Sequence, residues 1–223
     1  MEHLKIGYEP DFAPLTFMAG AQAAGLVVDI VTDAVRRGGM EAAFVSVDLP
    51  DQDAALRSGD VDALAFKAII AERAGSYDFS APLTTSGAAW FAVDAARLRP
   101  DGDPVSGARV ATPVRGPLSA QIRRDFPELS VINVDTYAAA LTAVLENRAD
   151  IAALNFHVGF YLAQRDHAGR FLIPTAPFQE MPLGLAVSAG KHAALLAAID
   201  RGLAEMRRDG TIGEIETRWL AAS

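Results

Sequence analysis

The segment VDALAFKAIIAERAGSYDFSAPLTTSG, Val61 to Gly87, sets a cation at the end of an apolar run and a second one shortly after it. Val61 to Phe66 has the length and composition of a buried strand. Lys67 stands at its end, and Ala68, Ile69 and Ile70 follow as a turn-sized apolar patch before Glu72 and Arg73. Tyr77 to Pro82 reads as a turn, and Thr84 to Gly87 leads into a further apolar strand, Ala88 to Val93. In open α/β sheets, ligands bind beyond the carboxyl ends of the strands. Two cations at such an end suit an anionic ligand. The planar fork of Arg73 matches a carboxylate with two parallel hydrogen bonds. The plainer alternative pairs Arg73 with Glu72, Asp78 or another surface acid.

Outward from this segment the chain alternates. Leu4 to Tyr8 reads as a strand. Glu9 to Pro14 carries two prolines, which exclude helix and central strand there, so a loop is expected. Leu26 to Arg37 shows a helical stripe (Val27, Ile30, Val31, Ala34, Val35) that Gly38 and Gly39 close. Ala42 to Val47 is a strand, and Asp51 to Arg57 a short helix. A strand–loop–helix–strand–helix–strand order calls for a parallel sheet with crossover helices. PDGDPVSG, Pro100 to Gly107, has the composition of a linker. The pattern then restarts, with strands at Arg109–Thr112, Ser130–Val134, Asp150–Leu154, Phe171–Thr175 and Leu183–Val187. Helices are expected at Leu118–Phe126, Thr136–Arg148, Phe156–Gln164, Lys191–Arg208 and Thr211–Leu220. Thr211 and Glu214 have capping-box spacing. Two α/β units with a helical pair left over predict two lobes around a cleft.

Composition narrows the classes. The chain has 223 residues, 51% hydrophobic and 22% charged, with a formal net charge of -8. It is long enough for a sizeable core. Its acidity, without a basic patch, speaks against nucleic acid as a partner. The absence of cysteine excludes disulfides and thiolate metal sites, and the four histidines (3, 157, 167, 192) lack metal-type spacing. There is no phosphate-loop, dinucleotide or nucleophile-elbow motif, so no cofactor is expected. No run of apolar residues has the length to span a bilayer. No signal-peptide pattern opens the sequence. Either a targeting segment has been removed or the chain is intracellular.

Several segments resemble, in order, the polar-amino-acid (family three) type of periplasmic solute-binding proteins, the substrate receptors of ABC importers. They are LKIGYEPDFAPLTF, GLVVDIV, the AERAGSYDFSAPLTTSG part of the opening segment, TYAAALTAVLENRADIAAL, PLGLAVSAG and AEMRRDGTIGEIETRWL. The resemblance implies a two-lobed α/β fold of the type II periplasmic-binding-protein kind, each lobe a mixed sheet flanked by helices. It implies lobe one at 1–92, lobe two at 93–186 and a return to lobe one at 187–223. It further implies a monomer that closes over a ligand and delivers it to a membrane permease, working in the periplasm.

On the same resemblance, Arg73 binds the ligand's carboxylate, and Phe12 stacks on its side chain. Glu9 matches an acid that in some members meets a cationic group; the alternative is a solvated acid at a strand end. Lys67 and Ala68 depart from the small or hydroxyl residues usual there. Lys67 either binds a second anionic group, neutralises Glu9, or is a surface lysine covering apolar area. Gly116-Pro117-Leu118 stands where the family has Gly-Thr-Thr at a helix start, leaving the Leu118 amide as a handle for an anion. Asn155 replaces the aspartate that pairs with an α-ammonium. Either Glu9 then supplies the counter-charge or the ligand is not a standard α-amino acid. His157 reads as a helix-start residue with a local bond. Two other uses of the scaffold stay open: the sensing domain of a signalling receptor, and a cyclohexadienyl-dehydratase-like enzyme with Glu9 or Glu180 as its acid.

Overall fold

A computed structural model describes residues 3–114 and 118–220. Its contacts divide the chain into two compact units, Met1–Thr85 with Met181–Ala221, and a second centred on Ser86–Glu180. The changes of unit at 85/86 and 180/181 come earlier than the boundaries expected at 92/93 and 186/187. Each falls inside one long strand, so no break in secondary structure marks the change.

Unit one begins with strand β1 (His3–Tyr8). The proline-rich segment after it is more than a loop. β2 (Asp11–Phe12), β3 (Thr16–Ala19) and β4 (Gln22–Ala24) form a small antiparallel sheet, with Asp11 opposite Phe17 and Phe12 opposite Thr16. Helix α1 (Leu26–Arg37) follows and buries Leu26, Val27, Ile30, Val31, Ala34 and Val35. Burying side chains the size of these leucine, isoleucine and valine residues contributes about 1.5–3 kcal/mol each. Next come β5 (Glu41–Ser46), α2 (Gln52–Ser58) and β6 (Ala63–Ala68). Lys67 therefore lies within β6, not beyond its end. The expected turn at Tyr77 to Pro82 is instead led by strand β7 (Tyr77–Phe79), whose backbone groups pair with a strand more than a hundred residues away. Local sequence cannot show that partner.

β8 (Thr84–Ala92) carries the chain into unit two. There the elements are β9 (Arg109–Pro113), α3 (Leu118–Asp125), β10 (Ser130–Val134), α4 (Tyr137–Leu145), β11 (Ile151–Asn155) and α5 (Phe156–His167). PDGDPVSG is a surface loop inside this unit, not a linker. Phe171–Thr175 forms no strand; a single bridge joins Leu172 to Ala92. β12 (Gln179–Ser188) returns the chain to unit one, which α6 (Ala193–Arg208) and α7 (Thr211–Leu220) complete. Before α7, the Asp209 carboxylate accepts from the Thr211 amide, 3.1 Å, and hydroxyl, 2.6 Å. Asp209, not the Thr211–Glu214 pair, thus caps that start.

Each unit holds a mixed sheet. In unit one, β5, β1 and β6 are parallel, and β12 runs antiparallel to β6 and pairs β7 on its other stretch. In unit two, β10, β9 and β11 are parallel and β8 is antiparallel to β11. The carboxyl ends of the parallel strands therefore point the same way within each unit. α1 packs on α6 so closely that a Cβ on Gly202 would run into the carbonyl of Ala34.

Candidate functional site

In unit one, β6 presents alternate residues to its two faces. Phe66 goes to the side of the small sheet, where its ring stacks on Phe12 with centroids 6.0 Å apart and planes inclined by 24°. Lys67 turns the other way. It is buried, and its Nζ lies 3.6 Å from Asp53 Oδ1 on α2. The Tyr77 hydroxyl donates to that same carboxylate oxygen. One strap thus joins α2, β6 and β7.

Arg73 follows β6 on a short 3₁₀ turn, Ala71–Arg73. Its guanidinium donates to the carbonyl of Ala68, 3.2 Å away, which ties it to the end of the strand. Among the described residues it makes no ion pair within 4.0 Å; the expected alternative partners, Glu72 and Asp78, are not bound to it. A guanidinium held by one backbone carbonyl keeps most of its donors for something else.

Glu9 follows β1 and is half-buried, and its Oε2 is buried with no hydrogen-bond partner among the described residues. Burial pushes this carboxyl above its ordinary range, and Asp48 and Asp11 add to the push, partly offset by the amides of Leu49 and Asp11. Burial likewise pulls Lys67 below the usual ammonium range, with Arg73 adding to the fall and Asp53 and Glu9 opposing it. The Tyr77 hydrogen bond, followed by Lys67, holds Asp53 low. Tyr77 is pushed up to about 12, first by burial and then by Asp53. Arg73 and Glu9 both bear on the Lys67 ammonium, while Asp53 is its close partner.

In unit two, Asn155 ends β11 and stands at the N-cap of α5. Its side-chain carbonyl accepts from the amides of His157, 3.1 Å, and Val158, 3.2 Å. Its amide donates to Ser86 Oγ, 3.0 Å. Ser86 Oγ also lies 2.9 Å from His157 Nδ1, and both residues are buried. Burial lowers the His157 pKa to about 4. Leu118 is the half-buried first residue of α3, against the core that holds Trp90 and Ile122. Gly116 lies outside the described residues. Glu9, Phe12, Lys67, Ala68 and Arg73 all belong to unit one, where Arg73 is bonded to Ala68 and Phe12 lies on the face of β6 opposite Lys67, while Leu118 and Asn155 belong to unit two. Sequence reading missed Asp53, Tyr77, Phe66 and Ser86. Only Tyr77, an aromatic with a hydroxyl just after Arg73, gave any signal.

The sequence profile of the bacterial extracellular solute-binding proteins, family 3, matches residues 4–222. The chain belongs to that family. Among similar proteins, an ABC transporter glutamine-binding protein of Bacillus subtilis is 30% identical over 81% of this chain. The match spans 65% of that relative's length. The virulence sensor protein BvgS of Bordetella bronchiseptica is 23% identical over 93% of this chain but only 17% of its own length. A solved structure titled as an ancestral cationic amino acid solute-binding protein superimposes with a TM-score of 0.79 at 24% identity, covering 98% of this chain and 95% of the other. That structural likeness establishes the periplasmic-binding-protein fold. Among the described residues no helix is long and apolar enough to cross a membrane.

Proposed function

We propose that this family-3 protein is a periplasmic receptor, monomeric, that captures a small carboxylate-bearing ligand and delivers it to an ABC permease. The observation that carries this reading is Arg73: a cation tied to a strand end by Ala68 and without an ion pair among the described residues. Arg73 grips the ligand's carboxylate, and Phe12, set by Phe66, offers an apolar face to the rest of it. Asn155 spends its carbonyl on the α5 amides and its amide on Ser86. The counter-charge for a cationic group therefore falls to Glu9, whose buried Oε2 lacks a partner among the described residues. The ligand is accordingly a zwitterion, an amino acid or a close relative. Hinge closure over the ligand, the mode that the family resemblance implies, completes the capture. The closed form gains only from contacts that the open form lacks. The Bordetella sensor relatives support a second use of the same binding event, as the sensing domain of a receptor.

A thermal-shift screen over amino acids, organic acids and amines identifies the ligand, because a molecule that binds the folded state raises the apparent Tm. Calorimetry with the hit then compares wild type and Arg73→Ala. Losing one partner of a hydrogen-bonded charge pair costs about 2 kcal/mol or more, a loss of about thirtyfold in affinity. Unchanged affinity in a folded Arg73→Ala protein removes Arg73 from the site.

A further inference from the structure

We propose that Asp53 sets the charge class of the ligand, cancelling Lys67 so that the site takes one carboxylate at Arg73 and discriminates against dicarboxylates. This rests on the reading of Arg73 as the carboxylate-binding residue.

Lys67 and Arg73 come from one short stretch of chain, and the Arg73 charge acts against the Lys67 ammonium. Two uncompensated cations at one strand end would favour a ligand with two negative groups. Lys67 is not uncompensated. It is buried, and a buried ammonium is retained only with a partner. The partner is Asp53, 3.6 Å from Nζ. Asp53 lies in the first turn of α2, where the helix dipole favours a carboxylate. Tyr77 donates to the oxygen that faces Lys67 and holds it in place. The other charged groups near this strap are Arg57, beside Asp53 and Tyr77, and Glu9, beside Lys67. Within the strap the charges of Lys67 and Asp53 offset each other, which leaves Arg73 as the cation of the β6 end for the ligand's carboxylate. Asp53 acts through Lys67 without touching the ligand, so it is a positioning residue.

The test uses isosteric ligand pairs that differ by one negative charge, glutamine with glutamate and asparagine with aspartate. Calorimetry measures the affinity ratio within each pair for wild type, Asp53→Asn, the double variant Asp53→Asn/Lys67→Met, and Tyr77→Phe. Asp53→Asn keeps an acceptor for Tyr77 and frees the charge of Lys67. Its ratio is expected to move toward the dicarboxylate by about tenfold or more. Lys67→Met in the same chain returns the ratio to the wild-type value. Tyr77→Phe, which cuts the strap without changing charge, moves it little. An unmoved ratio in Asp53→Asn, a shift that Lys67→Met fails to reverse, or an equal shift in Tyr77→Phe each overturns the assignment while leaving Arg73 in its role. If no member of either pair binds wild type or Asp53→Asn at millimolar concentration, the proposal falls, while the amino-acid reading still stands or falls with the thermal-shift screen.

Discussion

Replacing Asn155 by alanine separates a residue that builds unit two from one that only meets a ligand. The Asn155 carbonyl satisfies two amides at the start of α5, and losing an N-cap of this kind costs about 1 kcal/mol. The side-chain amide is also bonded to buried Ser86, and that bond adds about 1 kcal/mol. The expected loss is therefore about 2 kcal/mol without any ligand present. The protein has two tryptophans, and Trp90 lies in unit two, stacked on Phe178 with centroids 4.0 Å apart. In a Trp219→Phe background its fluorescence reports the unfolding of that unit alone. At a urea dependence of about 1–3 kcal/mol/M, the Asn155→Ala midpoint falls by about 1 M. Asn155→Asp keeps the acceptor and adds a charge that a helix N-terminus favours, so its midpoint stays near wild type. An Asn155→Ala midpoint equal to wild type would refute the capping argument, and with it the reason for passing the counter-charge to Glu9.

Two further outcomes follow from packing and titration. Gly202→Ala places a methyl group against the Ala34 carbonyl, so α6 must move off α1; a loss of about 1–3 kcal/mol in urea unfolding is expected, despite alanine's better helix propensity. His157 has a pKa of about 4 in the folded protein against an ordinary 6.5. As pH falls from about 6.5 to about 4 the unfolded chain gains a proton that the folded one refuses, so stability of unit two drops, by up to about 3 kcal/mol, and levels off below. His157→Asn, measured by the same Trp90 fluorescence across that range, loses this part of the slope; an unchanged slope places its origin elsewhere.

Much of unit one was legible because its signals are local. The stripe of α1, its closing glycines and the apolar run of β6 each follow from the spacing of apolar residues, and Arg73 stood out as a fork-shaped cation after a strand. Asn155 was noticed as a neutral residue at the end of a strand, but its use was not. A cap shows only when the two amides that it serves have turned to face it. Tyr77–Phe79 read as a turn, since its pairing partner is β12, and the proline segment read as a loop, since Phe12 finds Thr16 only once β3 has folded back.

The sequence by itself determined the alternation of strands and helices, which depends on neighbours a few positions apart, and the family, which depends on the order of matching segments along the chain. Tertiary structure alone decided which charges remain unspent. Among the described residues, Lys67 has an aspartate from α2 and a tyrosine from β7 around it, whereas Arg73 has a carbonyl, and Glu9 keeps an oxygen without a donor. Electrostatic compensation acts over a few ångströms of space, and no spacing along the chain records which distant groups that space will hold.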